Sequence, residues 1–325
     1  MKKILATFLI LSTFLSCVFA KQVCKIAYIG NSTMPSANVA IYNGVRDALN
    51  GLQSRYGKKF EIDFISENSS ENQTKKIGNV YIAGYSGAVI FPISADVNLT
   101  SSVRALAEKS FPVVLVGRDL KESKRLHYVG GDEKKFYEML SEQLKILAGK
   151  DSLQLYIYGN SNSFIADSTE REKAKEKLFE VAKANFNEVV LNSISDKKIT
   201  LELIELYSLF SMANKISIMR RDNYGEIFMS PELLADMTPI KRDTDRRFAI
   251  CVGGAPYLAE YLQNGQLSAC VYNDFYGWGY FSARAIAEKI VESVSPSSDV
   301  RLIKPLVATP ETVDSFKSDW KKWPN

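Results

Sequence analysis

A chain of 325 residues with 46% hydrophobic content is long enough for two ordinary domains, each with its own core. Its 41 basic and 37 acidic residues leave a net charge of +4, too balanced to make an electrostatic case for nucleic acid. His127 is the only histidine, so His-based metal sites lack a second ligand and a Ser-His or Cys-His relay has little support; no enzymatic activity, metal or cofactor is expected.

The first 20 residues read as an export leader. Lys2 and Lys3 form a charged start, Ile4 to Leu15 an apolar run, and Val18-Phe19-Ala20 a small-residue cleavage site. The run is short for a membrane anchor, which needs roughly 20 apolar residues. A second reading makes Cys17 a lipid-acceptor cysteine. Either way the product is expected outside the cytoplasm, in the periplasm or its equivalent.

Lys25 to Gly30 then reads as a buried strand, followed by a polar loop from Asn31 to Ser36. The next helix carries Val39, Tyr42, Val45, Leu49 and Leu52 at helical spacing. Such a loop lies at the carboxyl end of a parallel strand, where open α/β sheets bind ligands. Strands at Phe60–Ile65, Ala88–Pro92 and Pro112–Gly117 alternate with helices bearing Ile77, Val80 and Tyr81, then Val103, Leu106 and Ala107. Their apolar runs mark parallel strands buried on both faces. Tyr128-Val129-Gly130-Gly131-Asp132 carries turn chemistry, with Asp132 an N-cap for a helix bearing Phe136, Leu140, Leu144 and Leu147.

The alternation then restarts. Leu153 to Tyr158 is a strand, with a loop to Ser168 and a charge-rich helix from about Thr169 to Ala184. Further strands are expected near Glu188–Leu191, Glu226–Met229, Phe248–Val252 and Leu267–Tyr272, and Glu202–Arg221 has helical periodicity. The fold class is α/β: two Rossmann-like lobes, each a parallel sheet flanked by helices. Cys24, Cys251 and Cys270 lie in apolar strands, either as buried free thiols or with Cys251 and Cys270 bridged.

The order of segments resembles the periplasmic sugar-binding proteins of ABC import systems, of the ribose- and galactose-binding type (periplasmic binding protein type I). The resemblance rests on Ile26–Leu49, Gly87–Arg118, Tyr128–Leu144, Leu155–Leu178, Glu226–Met237, Arg247–Gly265 and Leu267–Ala287. It continues through Pro305–Glu311, which looks like the family's final strand and turn. It implies three chain crossings, near Leu126–Asp132, Tyr272–Tyr276 and Ile303–Val307, and closure like a hinge over ligand. The lobes would then be 22–127 with about 275–303, and 128–274 with about 304–325.

The family's binding residues carry over unevenly. Asn31 matches the first-loop asparagine, but the loop through Met34 to Asn38 lacks the adjacent aromatic ring. The Asp-Arg pair after the fourth strand becomes Gly117-Arg118, so only the arginine matches. Arg171 is the counterpart of the arginine after the fifth strand, although its neighbours form a charge run typical of a solvated helix face. The family's Asn-Asp aligns with Pro231-Glu232, its Gly-Phe-Asp-Gly aspartate with Gly253, and its second-crossing glutamine with Asn273.

Asn273 and Asp274 offer substitute acceptors, Phe275 or Tyr276 a stacking ring, and Ser94 follows the third strand. Trp278 reads as helix core. Two lost carboxylates against two retained arginines imply a positive site and an anionic ligand, such as a sugar acid or phosphorylated polyol. The expected product is a monomer delivering a small polar, carbohydrate-like solute to an ABC permease. The alternative is a sensing subunit reporting to a receptor kinase or chemoreceptor.

Overall fold

The computed structural model describes residues 23–148, 153–159, 199–205, 224–235 and 246–321. The leader, Cys17 and Arg171 lie outside them, as do the expected helix at 169–184 and strand at 188–191. The chain divides into two compact units. Unit 1 holds the described residues to Gly130 and Tyr276–Arg301; unit 2 holds Gly131–Phe275 and the chain from Leu302 onward. The chain therefore passes from one unit to the other three times.

In unit 1, strands β1 (Val23–Asn31), β2 (Lys59–Glu67), β3 (Gly87–Ile90), β4 (Val113–Val116), β5 (His127–Gly131) and β11 (Val300–Ile303) form one sheet. Its order is β11-β5-β4-β3-β1-β2, with β1 to β5 parallel. Helices α1 (Pro35–Tyr56), α2 (Ser70–Asn79), α3 (Val97–Glu108) and α7 (Phe275–Glu292) accompany these strands. Strands β3 and β4 are buried at every residue, as their unbroken Ala, Val, Ile and Leu runs require. Strand β2 is an edge strand, so its pattern alternates and Phe64 remains 45% exposed.

Two helical faces differ from the sequence expectation. In α1 the buried stripe runs through Ala37, Ile41, Val45, Ala48, Leu49 and Leu52, leaving Val39 and Tyr42 only half-buried. The cause is a second packing partner. A Cβ on Gly44 would lie 2.1 Å from the Tyr276 carbonyl oxygen, and one on Gly279 only 1.9 Å from that of Ile41. Helices α1 and α7 thus touch backbone to backbone at two glycines. In α2, Ile77 is buried, as is Val80 at its C-cap, whereas Tyr81 lies beyond the cap at 47% exposure, edge-on to Phe111.

Tyr128–Gly131, expected as a turn, is strand. Tyr128 and Gly130 share one face of β5, and a Cβ on Gly130 would sit 2.0 Å from the Tyr128 hydroxyl, so the glycine makes room for its neighbour's ring. Asp132 does cap α4 (Glu133–Ala148), its Oδ1 accepting from the Lys135 amide at 3.0 Å.

Unit 2 holds β6 (Leu153–Gly159), β7 (Ile199–Glu205), β8 (Tyr224–Phe228), β9 (Arg246–Val252), β10 (Ala269–Tyr272) and β12 (Leu306–Ala308). The order is β12-β10-β9-β8-β6-β7, parallel except for β12, which runs antiparallel to β10. Leu140 and Leu144 of α4 pack with Leu155, Ile227, Phe248, Ile250 and Val271 into its core. Helices α5 (Glu232–Ala235), α6 (Leu258–Gln263) and α8 (Val313–Lys321) complete its described elements.

Glu202–Glu205, expected as the start of a helix, belongs to β7, paired in parallel with β6. The run Leu201-Glu202-Leu203 fits a period of two as readily as a helical one. Cys251 and Cys270 stand in register on β9 and β10 as free, buried thiols. Burial pushes the Cys270 thiol up to about 12. No helix among the described residues is long and apolar enough to cross a membrane.

Candidate functional site

Parallel strands present their carboxyl ends together, and in unit 1 those ends carry the loops after β1, β2, β3 and β4. One side chain ties three of the segments together. Gln73, fully buried on α2, donates to the carbonyls of Gly30 at 3.2 Å and Phe91 at 2.8 Å, and accepts from the Ile93 amide at 3.0 Å. Its burial on the same face as Ile77, four residues later, is the mark that separates it from the exposed polar residues of that helix.

The first loop is fixed by its own turn chemistry. Asn31 is buried, and its Oδ1 accepts from the Thr33 amide at 3.0 Å and the Thr33 hydroxyl at 2.6 Å. Asn38 braces it from below. Its Oδ1 accepts from the Asn31 amide at 3.0 Å and the Tyr28 hydroxyl at 2.8 Å, and its Nδ2 donates to Ser66 Oγ at 2.9 Å. The oxygen of Asn31 is thus engaged within the turn. Met34 stands beside it, 43% exposed.

After β3 the key residue is Asp96, which the sequence reading missed. Its Oδ1 caps α3 by accepting from the Leu99 amide at 2.9 Å, and its Oδ2 accepts from the hydroxyls of Ser70 and Ser94. Burial works against its ionisation, but these hydroxyls and the Leu99 and Asn98 amides outweigh it, holding the carboxyl below its ordinary value. An acid immediately before an apolar-periodic helix is a capping signature, and Ser94-Ala95-Asp96-Val97 carries it. Ser94 is therefore committed to a neighbour as well as facing this edge.

Arg118 follows β4. Gly117 before it has φ of 70°, and a Cβ there would meet the rings of Phe91 and Trp278 at 2.7 and 2.9 Å. The exposed Arg118 guanidinium donates through Nη1 to the Ile93 carbonyl, and no carboxylate among the described residues pairs with it. The adjacent acid is taken elsewhere. Asp119 is clamped by Arg125, with Nε–Oδ1 at 2.5 Å and Nη2–Oδ2 at 2.8 Å. Glu67, ending β2, is the carboxylate of this edge with no side-chain partner among the described residues.

Arg118 thus reaches the Ile93 carbonyl next to Ser94, and Gln73 links that segment to Gly30 beside Asn31. Asn273, Asp274 and Phe275 follow the carboxyl end of β10 in unit 2. The Asn273 carbonyl accepts from the Phe275 amide at 2.9 Å, Asp274 is half-buried, and Phe275 is 7% exposed. Phe275 is a buried ring rather than an open stacking surface. Trp278 is buried, as expected. Among the described residues no group of His, Cys, Asp and Glu is arranged to hold a metal ion.

No protein-family model and no curated protein matches the chain in sequence. Solved structures match it over nearly all its length. The arabinose-binding protein of Geobacillus stearothermophilus aligns with a TM-score of 0.68 at 14% identity, covering 90% of this chain and 99% of that one. A periplasmic ribose ABC transporter protein from Conexibacter woesei gives 0.64 at 14%, covering 94% and 99%. An ABC-transporter solute-binding protein from Bacillus halodurans, solved with myo-inositol bound, gives 0.65 at 14%, covering 92% and 98%. A putative LacI transcriptional regulator from Bacteroides fragilis gives 0.66 at 14%, covering 90% and 99%. At such identity the likeness is one of fold, and the chain has the two-unit α/β fold of the type I periplasmic binding proteins.

Proposed function

We propose that this protein is an extracytoplasmic solute-binding protein that captures a small polar, carbohydrate-like ligand for delivery to an ABC permease. The observation that carries the proposal is the fold likeness to solute-binding proteins across at least 90% of the chain. The carboxyl edge of unit 1 supplies chemistry to match: a preorganised polar rim held by Gln73 and Asn38, with Arg118 open to a ligand.

The ligand carries an acidic group. Asp96 and Asp119 are both spent on internal donors, so the positive charge of Arg118 is not cancelled locally. A planar guanidinium with unpaired edges takes a carboxylate or phosphate bidentately. Asn31, Met34, Ser94, Asn273 and Asp274 belong to the same proposal as ligand neighbours, and Arg171 as a second cation.

A thermal-shift panel tests it, using pentoses, hexoses, inositols, sugar acids and sugar phosphates. A ligand at 100 times its Kd stabilises by about 2.7 kcal/mol. Stabilisation by a sugar acid or sugar phosphate, lost in Arg118→Ala, is the expected result. Stabilisation by neutral hexoses alone overturns the charge assignment, and no response across the panel overturns carbohydrate capture. Mass spectrometry of material co-purified with the native protein identifies the ligand directly.

A further inference from the structure

Away from that edge, unit 1 contains a cavity of about 250 Å³ beside the amino end of β5. Its walls are the middle of α7 (Phe281, Arg284, Glu288), His127, and the segment from Pro296 to Arg301. Every residue lining it belongs to unit 1.

The lining carries two guanidinium groups against one carboxylate. Arg301 lies over Phe281, with its guanidinium carbon 3.7 Å from the ring centroid. A cation–π stack covers one face of the guanidinium and uses none of its in-plane N–H donors. Those donors have no acceptor among the described residues. Arg284 reaches only Glu288, at a long 3.5 Å. The other polar walls are settled. The His127 ring donates from Nδ1 to the Ser298 carbonyl at 2.9 Å, and the Ser298 hydroxyl bonds to Val300 O at 2.9 Å and Val300 N at 3.2 Å.

We propose that this cavity is a second ligand site, taking a small oxyanion (a carboxylate or a phosphate) on the free edge of Arg301, with Arg284 as the second donor. The stacked Phe281 holds the receiving fork in one orientation, which reduces the ordering cost of a two-point contact. The volume lies below the usual range of roughly 300–1,000 Å³ for drug-sized ligands, so the site suits an anionic fragment rather than an oligosaccharide. Nothing in it draws on the carboxyl edge, so it stands whether or not Arg118 binds a solute.

The test is isothermal titration calorimetry of the full chain with sodium phosphate and, separately, sodium acetate, at ionic strength held constant with sodium chloride. Saturable binding of either anion with a Kd on the order of 1 mM or tighter is expected. Arg301→Gln should weaken it at least about tenfold and Arg284→Gln by less, because Arg284 must first leave Glu288. Repeating the titration in an Arg118→Ala background removes the anion contact proposed at the carboxyl edge; the saturable binding that remains in that background belongs to this cavity and should be weakened by adding Arg301→Gln in the same proportion. Far-ultraviolet circular dichroism confirms that each variant is folded. In the Arg118→Ala background, no saturable binding of either anion, or binding left undiminished by Arg301→Gln, overturns the proposal.

Discussion

Replacing Asp96 with alanine removes three acceptor contacts at once, and the structure sets their worth. The Oδ1 contact to the Leu99 amide is an N-cap, whose loss costs about 1 kcal/mol. The Ser70 and Ser94 hydroxyls lose an ionised acceptor. In a half-exposed position water recovers part of that loss, leaving about 0.5–1 kcal/mol for each. Together these give about 2–3 kcal/mol at pH 7, or roughly 4–10 °C in Tm for a unit of this size. Asp96→Asn keeps the capping oxygen and should cost about 1 kcal/mol. Urea unfolding followed by the fluorescence of Trp278, buried in the same unit, measures both.

The pH dependence supplies the decisive arm. The folded Asp96 carboxyl is held below its unfolded value of about 3.9, so its stabilisation is complete above that pH and disappears as pH falls through the folded value. The deficit of Asp96→Ala should therefore be constant from pH 7 to 5 and narrow below pH 4. A variant within about 0.5 kcal/mol of wild type at pH 7, or a deficit that does not narrow in acid, would refute the reasoning.

Four further outcomes follow from the packing and the buried charges. Gly279→Ala would place a Cβ 1.9 Å from the Ile41 carbonyl oxygen, backbone against backbone, and should cost at least about 2–3 kcal/mol or prevent soluble expression. Gly51→Ala, with nothing within 4 Å, should be neutral or stabilise by up to about 1 kcal/mol in the same urea assay. In unit 2, Arg246 and Glu226 form a buried pair at 3.0 Å, each side chain 3% exposed, with Gln266 O and the Tyr158 hydroxyl as outer partners. Either single alanine should cost about 3–5 kcal/mol by chemical denaturation, whereas the Arg246→Met, Glu226→Leu double variant should recover most of it. His127 is held below its usual pKa first by burial, with the Arg125 and Arg301 charges adding to the effect and the Ser298 carbonyl and Asp299 opposing it. It therefore contributes stability that is lost as pH falls from about 6.5 toward the folded value. His127→Asn should flatten the pH dependence of the urea midpoint between pH 7.5 and 5.5.

The alternation of strand and helix was legible because strands buried on both faces leave no polar trace: Gly87–Ile90 and Val113–Val116 read directly as sheet interior. What resisted reading has identifiable causes. Gly130 looked like a turn residue, yet its missing Cβ serves the Tyr128 ring on the same strand face. Strand β11 has only four residues, two of them exposed, so neither length nor apolar pattern announces it. At the site, Arg118 and Asn31 were visible from their positions after strands. That the Asn31 oxygen is spent on Thr33 depends on local turn geometry. Asp96 binds Ser70 across 26 residues of sequence, a contact no local pattern encodes.

The placement of charge along the carboxyl edge gives the proposed ligand a direction. Arg118 follows β4, and Glu67 ends β2, three strand spacings away in the order β4-β3-β1-β2. At about 4.8 Å per spacing they stand roughly 14 Å apart, too far for a direct ion pair. The acids nearer to Arg118 are already bonded to internal donors, so its positive charge persists at one end of the rim while an acceptor remains at the other. A ligand matched to this edge has its acidic group toward β4 and its hydroxyls toward β1 and β2, where a carboxylate can accept from them. A sugar acid has that polarity along one molecule, and a neutral hexose leaves the Arg118 end unanswered.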